Sequence, residues 1–501
     1  MNTTFQKLNH YLDKSNALSI ALSLLSWDNE TLAPKNAIEN TSKAIGILAG
    51  EAYETLINED VKCLLEQLSK EEEQQSLTKL ENQIIKELKK KYEIMEKVPL
   101  TVFQSYQELI AKAPSVWAKA KEENDFHSFV PILKEVMDYA FRIGEYTRKE
   151  NEFAYDALLR DNEECFNMES LDEFFDEIKA TVVPLLKSVT KKKDMIQDDF
   201  LYLSYDVKMQ KEFCKFVAEY IGFDFDCGVI AESAHPFTTN FHNKDVRITT
   251  HYYEHNLASA IFSVIHEGGH ALYEMGVANE LTMTLVGGGT SMGIHESQSR
   301  MYENMIGRSK EFWTPIYGRL QAIFPEQLSN ISLDQFVKAI NKVQPSLIRT
   351  EADELSYCLH IIIRYEIERD LFERKIQVED LPEIWNKKYE EYLGVKPSND
   401  TEGVLQDIHW SCGNIGYFPS YALGNAIAAQ MYAKMKQVIP IEDILKEGKL
   451  SMIRDYLNDE VHKYGRTMNA NEILVSMTGE PLNARYYAEY LTEKYTKLYE
   501  L

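Results

Sequence analysis

Two histidines stand four positions apart in the segment HEGGH, residues 266–270, and a glutamate follows the first of them. If this segment is helical, His266 and His270 project from one face a single turn apart, where both imidazoles can reach one metal ion. Glu267 then faces the open side of that ion and can move a proton from an attacking water to a leaving amine. The pattern predicts a zinc hydrolase site, and two ordinary histidines of a core or surface helix are the alternative.

The surrounding residues favour the helix that this chemistry requires. Asn256 can cap its start, and an apolar stripe follows at helical spacing: Leu257, Ile261, Val264, Ile265 and Leu272. Gly268 and Gly269 oppose the helix, because each glycine in a helix interior costs about 1 kcal/mol relative to alanine. We therefore expect something to approach this helix closely, either a strand or substrate backbone or a tightly packed second helix.

A catalytic zinc site needs a third protein ligand. Glu274 lies eight residues after His266, which is about 12 Å along a helix, so it is interpreted as an outer or surface residue. Glu296 in GIHESQSRMYEN lies 26 residues after His270, behind the glycine-rich turn GGGTSMG, and a second helix returning there could bring it to the histidines. His295 would point about 100° away from Glu296 on that helix, and it is interpreted as orienting rather than ligating.

A second histidine pattern, HYYEH at residues 251–255, matches the inverted zinc-peptidase order H-x-x-E-H. It follows the end of a predicted strand and precedes the Asn256 cap. In an extended chain His251 and His255 would lie about 13 Å apart and could not share an ion. We do not expect a metal there.

Helical periodicity dominates the chain, as in the charged segment at residues 71–98. The exception is residues 235–253, which are rich in Thr, Phe, Tyr, Ile and Val and contain the polar turn HNKD. We predict an antiparallel hairpin there, immediately before the HEGGH helix. No Ser/Gly-rich or Pro-rich linker divides the chain, so residues 1–501 are predicted to form one mainly α-helical domain with a small antiparallel sheet.

The composition limits the compartment and the partners. Of the 501 residues, 44% are hydrophobic, enough for a sizeable core. The net charge of −25 argues against nucleic acid and against a membrane as partners. The six cysteines contain no C-x-x-C pair, and the apolar run at residues 17–27 lacks signal-peptide flanks and is too short to span a bilayer. A reduced, cytoplasmic protein is expected.

Several motifs together resemble one known family. HEGGH, HESQ (295–298), DVRIT (245–249), IRTEAD (348–353) and GVLQDIHW (403–410) are all present, and WDNETLAPKNA and GYFPSYALGN (416–425) also look familial. They resemble the thermostable carboxypeptidases of peptidase family M32 along nearly the whole chain. The resemblance implies a mostly helical, two-lobed body with a deep groove, usually a homodimer. It also implies an enzyme that removes C-terminal amino acids one at a time, with broad specificity and poor tolerance of proline.

The resemblance further implies the metal ligands and the base. One divalent metal, zinc or in practice often cobalt, would be held by His266, His270 and Glu296. Glu267 would be the general base. The same set is favoured by the helix geometry above.

A carboxypeptidase must also recognise a free carboxylate, and arginine offers a planar bidentate match. Family precedent favours Arg349 in IRTEAD for this role, and the alternative is an ion pair inside a helix with Asp353, four residues on. Arg247 in DVRIT is interpreted as structural and paired with Asp245. The hairpin could receive an extended peptide as an added strand.

The developing oxyanion needs a hydrogen-bond donor besides the metal. Helical zinc peptidases of this kind place a tyrosine there, and GYFPSYALGN offers Tyr417 and Tyr421, of which Tyr421 is favoured. His409 is a further catalytic candidate, and His235 is a candidate for binding substrate. Each of the four could instead be a satisfied core residue.

The leading hypothesis is a metallocarboxypeptidase that acts on peptides with a free C-terminus. An oligopeptidase of the helical zinc-peptidase type, cutting inside short peptides, is the runner-up. A metal-binding or scaffold protein without turnover is the third reading, and Glu267 counts against it because binding alone needs only the three ligands.

Overall fold

The computed structural model describes residues 2–501, and helices form most of it. The α-helices, numbered along the chain, are α1 Thr3–Thr31, α2 Ile38–Leu56, α3 Glu59–Leu68, α4 Glu71–Gln74, α5 Lys79–Lys97, α6 Leu100–Glu123, α7 Phe126–Thr147, α8 Ala154–Asn162, α9 Met168–Thr190, α10 Val207–Ile221, α11 Leu257–Gly276, α12 Met292–Arg300, α13 Lys310–Trp313, α14 Tyr317–Ile323, α15 Pro325–Leu328, α16 Leu333–Ile340, α17 Glu354–Phe372, α18 Leu381–Leu393, α19 Pro419–Val438, α20 Ile441–Lys446, α21 Ser451–Glu460, α22 Ala470–Thr478 and α23 Arg485–Tyr499. A π-helical turn, Met301–Ile306, directly continues α12.

Three strands form one small sheet: β1 Gly228–Glu232, β2 Thr238–His242 and β3 Asp245–Thr250. The central strand β3 is antiparallel to β2 and parallel to β1, so that Arg247 pairs with Thr239 on one side and with Val229 on the other. The helix α11 contacts both β2 and β3. The predicted hairpin is therefore present, and β1, which the sequence interpretation did not include, makes the sheet mixed.

The helix α11 carries HEGGH and is buried along most of its length. The Asn256 side chain accepts a hydrogen bond from the main-chain N–H of Ser259 at 3.2 Å, as the predicted cap requires. A Cβ on Gly269 would lie 2.7 Å from the carbonyl oxygen of Gln298 in α12, so only glycine lets the two helix backbones approach this closely. Gly268 faces a side chain of α10 in the same way. Helix packing is thus the reason for both glycines, one of the two explanations expected.

One large core joins the sheet with α11, α12, α17, α19 and their neighbours. A smaller apolar cluster lies under α1, α3 and α5 and packs against the connection that follows α11. Trp27 of α1 lies over Arg247 of β3, with 4.8 Å between the ring centre and the guanidinium carbon. Arg247 also donates two hydrogen bonds of 2.8 Å to Asp245, the structural pairing predicted. The N-terminal helices are thereby attached to the sheet.

The mainly helical architecture with a small sheet is confirmed. None of the helices within residues 2–501 combines the length and the apolar character needed to cross a membrane. All six cysteines are free thiols, as their scattered spacing indicated. A single domain and a homodimer stay predictions.

Candidate metal centre

Two histidines of α11 and a glutamate of α12 meet in one cluster. Glu296 Oε2 lies 3.7 Å from His266 Nε2 and 3.5 Å from His270 Nε2. One donor atom from each of the three residues lies within 4.8 Å of the other two. A Cβ on Gly424 would lie 2.5 Å from the Glu296 side chain, so a glycine there lets α19 pack directly over this residue. The structure thus brings together the three ligands expected from the sequence.

The Glu296 carboxylate is kept ionised by its neighbours. Burial alone would raise its pKa, but Arg300, His266 and His270 together hold the pKa well below its usual range. Arg300 Nε donates to Glu296 Oε1 at 2.6 Å, and the Ser299 hydroxyl donates to Oε2 at 3.2 Å. An anionic oxygen therefore faces two imidazoles, a donor set that suits zinc.

His266 turns its other ring nitrogen, Nδ1, toward Glu303 of the π-helical turn, 2.9 Å from Oε2. Arg300 and Arg308 also donate to the Glu303 carboxylate, at 3.1 and 3.0 Å. Burial opposes ionisation of Glu303, yet these cations and His266 keep its pKa well below its usual range. A carboxylate that accepts from Nδ1 fixes the hydrogen there and leaves Nε2 of His266 free for a metal.

His270 Nδ1 meets another histidine instead of a carboxylate. His295 Nδ1 lies 2.7 Å away, and His295 Nε2 lies 2.7 Å from Glu274 Oε1. Glu274, expected to be an outer or surface residue, is buried and ends this chain of contacts. His295 therefore contacts a candidate ligand rather than joining the ligand set.

Glu267 lies between the two histidines on α11 and is buried. The Thr238 hydroxyl of β2 donates to Glu267 Oε2 at 2.5 Å. This hydrogen bond engages one carboxylate oxygen and restricts the side chain to one orientation. An edge strand of the sheet thereby positions the residue expected to act as the base.

No second group of three or more His, Cys, Asp and Glu side chains is arranged to hold a metal ion within residues 2–501. The HYYEH segment does not provide one, since His255 is largely exposed and His251 Nδ1 lies 2.9 Å from the carbonyl oxygen of Ser233. The side chains of this segment are therefore not gathered around a common point in the described residues.

Four further candidate residues form an aromatic and arginine cluster. His409 Nε2 lies 3.2 Å from the Tyr421 hydroxyl, and the Tyr417 ring packs edge-on against the Tyr421 ring. The guanidinium carbon of Arg349 lies 5.0 Å from the centre of the Tyr421 ring. Burial lowers the pKa of His409 to about 4, so its imidazole is neutral near neutral pH. Burial raises the pKa of both tyrosines, so their hydroxyls keep a hydrogen to donate.

Arg349 is buried and already holds a carboxylate. Its Nε and Nη2 donate to Asp407 Oδ1 at 3.0 and 2.9 Å, and its Nη1 donates to the Tyr357 hydroxyl at 3.3 Å. Asp353, the alternative partner, instead caps α17 by accepting from the main-chain N–H of Ser356 at 3.0 Å. The ion pair with Asp353 considered from the spacing does not form.

Tyr357 connects this cluster with the metal centre. Its hydroxyl accepts from Arg349, and Arg300, which binds Glu296, lies over its ring at 4.5 Å. The pKa of Tyr421 is raised mainly by burial, and the negative charge of Glu296 contributes as well. The aromatic and arginine cluster therefore lies next to the candidate metal centre.

His235 does not belong to either cluster. It is exposed in the connection between β1 and β2, where its carbonyl oxygen accepts from the Ser233 hydroxyl at 2.5 Å. It precedes Thr238 by three residues and so lies shortly before the edge strand that contacts Glu267.

Five polar residues of the site were not identified from the sequence: Thr238, Arg300, Glu303, Tyr357 and Asp407. Arg300 and Glu303 follow Glu296 by four and seven residues, so helical spacing could have indicated them. Asp407 stands inside the GVLQDIHW motif and could have been singled out there. Nothing in the sequence indicates the partner of Thr238.

Known proteins resemble the whole of this chain. A family model described as carboxypeptidase Taq (M32) metallopeptidase matches residues 7–495. Carboxypeptidase 1 of Bacillus subtilis is 42% identical over 497 residues, which covers 99% of this chain and 97% of that protein. Thermostable carboxypeptidase 1 of Pyrococcus furiosus is 36% identical over 485 residues, covering 96% of each. The crystal structure of an M32 carboxypeptidase from Deinococcus radiodurans R1 has a TM-score of 0.96 at 33% identity and covers 100% of both chains.

Proposed function

The chain belongs to the carboxypeptidase Taq (M32) metallopeptidase family, and from this premise we propose that it releases single C-terminal amino acids from peptides. In this proposal it accepts many side chains and acts poorly on proline. The observation that carries the proposal is the meeting of His266, His270 and Glu296 next to Glu267. Its substrates are peptides with a free C-terminus.

One divalent ion per chain fits this donor set, zinc first and cobalt as a substitute. His266 and His270 would each offer Nε2 and Glu296 its carboxylate, because both Nδ1 atoms are engaged elsewhere. When bound, such an ion supplies Lewis-acid chemistry, which makes water nucleophilic near neutral pH and stabilises developing negative charge.

Glu267 is the residue that moves the proton. Thr238 engages one of its carboxylate oxygens, and the other takes a proton from the attacking water. The resulting carboxyl group then gives this proton to the nitrogen of the departing residue. The C-terminal amino acid therefore leaves as a neutral amine, and Glu267 returns to its ionised form.

Arg349 binds the terminal carboxylate of the substrate. A guanidinium group has five N–H donors, and three of those on Arg349 are used by Asp407 and Tyr357. One N–H on each Nη remains, and this pair can bind a carboxylate bidentately. An internal peptide bond presents no such carboxylate, which favours removal of the last residue over internal cleavage.

Tyr421 donates a hydrogen bond to the oxyanion. Tyr417 is the second candidate for this role. In this proposal the neutral His409 donates from Nε2 to the Tyr421 hydroxyl oxygen, which restrains this hydroxyl and leaves its hydrogen for the oxyanion. A donor held in place beforehand stabilises negative charge without reorganisation during the reaction. His235, exposed beside β2, contacts the bound peptide.

The edge strand β2 offers a place for an extended peptide. Its neighbour β3 occupies one side of it, and the sheet order leaves the other side without a strand. A peptide added there would form main-chain hydrogen bonds. Because Thr238 of this strand holds Glu267, such a peptide would lie beside the base.

Assembly and location complete the proposal. We expect a cytoplasmic homodimer, and the free cysteines agree with a reducing compartment. The net charge of −25 supports the absence of nucleic acid and membrane partners.

Mass spectrometry of an N-terminally blocked peptide, incubated with zinc- or cobalt-loaded protein, tests this function. A ladder that loses one C-terminal residue at a time and halts at proline is the expected result. Internal fragments would favour the oligopeptidase, and a peptide left intact with either metal would favour a binding protein without turnover.

Glu267→Gln is the matched variant, because glutamine has a similar shape and accepts no proton. It should keep its metal and lose about 10²- to 10⁴-fold in kcat, the range typical of a general base. Metal content and kcat are both measured on the purified variant. Full activity in Glu267→Gln would contradict the mechanism.

A further inference from the structure

The two candidate histidine ligands are held in different ways. His266 Nδ1 meets a carboxylate directly, whereas His270 Nδ1 meets His295, which in turn meets Glu274. We propose that His295 and Glu274 are positioning residues, forming a relay that fixes the hydrogen of His270 on Nδ1 and keeps its Nε2 available to the metal. This inference rests on the metal site proposed above and adds two residues to it.

Glu274 determines which nitrogen of His295 carries a hydrogen. Its Oε1 accepts from the main-chain N–H of Gly289 at 3.1 Å and lies 2.7 Å from His295 Nε2, and its Oε2 accepts from the Asn240 amide. A carboxylate surrounded by donors acts only as an acceptor. His295 therefore carries a hydrogen on Nε2.

The position of the hydrogen on His270 follows from the position of the hydrogen on His295. With its hydrogen on Nε2 toward Glu274, His295 offers Nδ1 as the acceptor of the pair. This atom lies 2.7 Å from His270 Nδ1, so the hydrogen bond between the two rings requires a hydrogen on His270 Nδ1. His270 Nε2 then keeps its lone pair, 3.5 Å from Glu296 Oε2. The opposite arrangement would place a hydrogen on His270 Nε2, where it would block a metal.

The relay also ties together the elements that carry the ligands. His270 and Glu274 lie four residues apart on α11, and His295 of α12 contacts both of them. A Cβ on Gly289 would lie 2.6 Å from His295 Cδ2, so the glycine makes room for the imidazole. Asn240 extends the contacts to β2. The His295 ring is therefore confined by α11 and by the connection between α11 and α12.

Zinc affinity of the full-length variants, measured by competition with a chromogenic chelator, tests the relay. His295→Leu removes the acceptor with little change in volume, and His295→Asn restores one, since its amide oxygen can take the place of Nδ1. We expect zinc binding to weaken about 10- to 100-fold in His295→Leu and to recover most of this loss in His295→Asn. Glu274→Gln, which keeps an acceptor without the charge, should show an intermediate loss.

The matched control is His127→Leu, which replaces an exposed histidine of α7 and should bind zinc like the parent. Unfolding temperatures of the metal-free proteins separate positioning from packing, because a positioning role leaves metal-free His295→Asn and Glu274→Gln close to the parent.

Parent-like zinc affinity in His295→Leu would overturn the relay, and so would an equal loss in His295→Leu and His295→Asn. If His295→Leu does not fold, parent-like affinity in Glu274→Gln would overturn it instead. A parent protein that binds no zinc would overturn the proposed metal site itself, an outcome distinct from failure of the relay alone.

Discussion

Arg349 and Arg364 share one carboxylate, and this sharing gives the two arginines different roles. Asp407 binds Arg349 through Oδ1 and Arg364 Nε through Oδ2 at 2.6 Å. Burial would raise the pKa of Asp407, yet the two guanidinium groups hold it well below its usual range. Arg364 is fully buried, whereas Arg349 lies against the ring of Tyr421. Arg364 and Asp407 therefore hold the arginine proposed to bind the substrate.

Arg349→Lys should abolish the preference for a free C-terminus. Lysine gives a single point charge in place of a planar fork, so kcat/KM for a peptide acid should fall about 100-fold. The much slower hydrolysis of the matching peptide amide should change little, because the amide never uses this contact. The measurement is the ratio of kcat/KM for acid and amide.

Arg364→Lys is the control for this ratio, because Arg364 binds the same Asp407 and is itself fully buried. It should lower stability and reduce the preference for the acid much less than Arg349→Lys does, because the guanidinium group of Arg349 remains. Equal losses on acid and amide in Arg349→Lys would contradict the proposed carboxylate contact.

Glu163 is a buried carboxyl group beside the start of α12. Its Oε1 accepts from the main-chain N–H of Gly293. Burial raises the pKa of Glu163 to about 7. The folded protein thus keeps this proton at pH values where the unfolded chain has lost it, so stability falls as the pH rises from about 4.5 to about 7.

Glu163→Gln should remove this pH dependence. Glutamine keeps an acceptor for Gly293 and has no charge to bury. Relative to the parent, the variant should gain about 3 kcal/mol of unfolding free energy between pH 4.5 and pH 8. Denaturant unfolding of the metal-free proteins at both pH values measures the gain, with the exposed Glu150→Gln as control. A difference between parent and Glu163→Gln that does not change with pH would contradict the role of a buried acid.

Residues related by helical spacing could be predicted from the sequence, and residues related only by folding could not. His266 and His270 lie one turn apart, so geometry alone indicates that they can share an ion. Asp407 lies 58 residues from Arg349, and Thr238 lies 29 residues from its carboxylate partner. Only the packing of distant elements decides which of these polar groups meet.

Among the elements, α19 and α12 depend on one glycine for their contact. Gly424→Ala would place a Cβ 2.5 Å from Glu296 Cβ and Cγ, and Cβ cannot move without displacing the α12 backbone. We expect a loss of about 1 to 3 kcal/mol of unfolding free energy, the usual cost of overpacking. Because Glu296 itself is displaced, zinc affinity should fall as well.

Gly46→Ala in α2 is the matched control, since nothing lies within 4 Å of the Cβ that it would add. Alanine favours a helix over glycine, so this variant should gain up to about 1 kcal/mol. Thermal unfolding and chelator competition on both variants give the two results. A Gly424→Ala protein as stable as the parent, with unchanged zinc affinity, would contradict the close packing of α19 on α12.

As with the residues, some elements could be predicted from the local sequence, whereas others depend on parts of the chain that are far apart in sequence. The hairpin of β2 and β3 could be predicted because a two-residue turn, Asn243 and Lys244, joins the strands. β1 pairs with β3 in parallel, and β2 intervenes along the chain, so no local pattern indicates this pairing. The π-helical turn that carries Glu303 likewise has no signal in the hydrophobic periodicity.

For the whole molecule, the candidate metal centre is a junction between helices that contact one another directly. The helices α11 and α12 contact each other directly through Gly269, and α19 covers Glu296 from the other side. Arg300 balances the charge of Glu296. Helix packing and the Arg300–Glu296 ion pair therefore help to hold the three candidate ligands in their arrangement.

Removing the metal should thus lower the unfolding temperature without unfolding the protein. A ligand present at about 1,000 times its Kd stabilises the folded state by about 4 kcal/mol, which corresponds to a few degrees in a domain of this size. Circular dichroism should show unchanged helical content after chelation, and added zinc should restore the transition. Glu296→Gln, which weakens one ligand, should show a smaller response to zinc. Loss of helical signal on chelation would mean instead that the metal holds α11 and α12 together, contrary to the close backbone packing at Gly269.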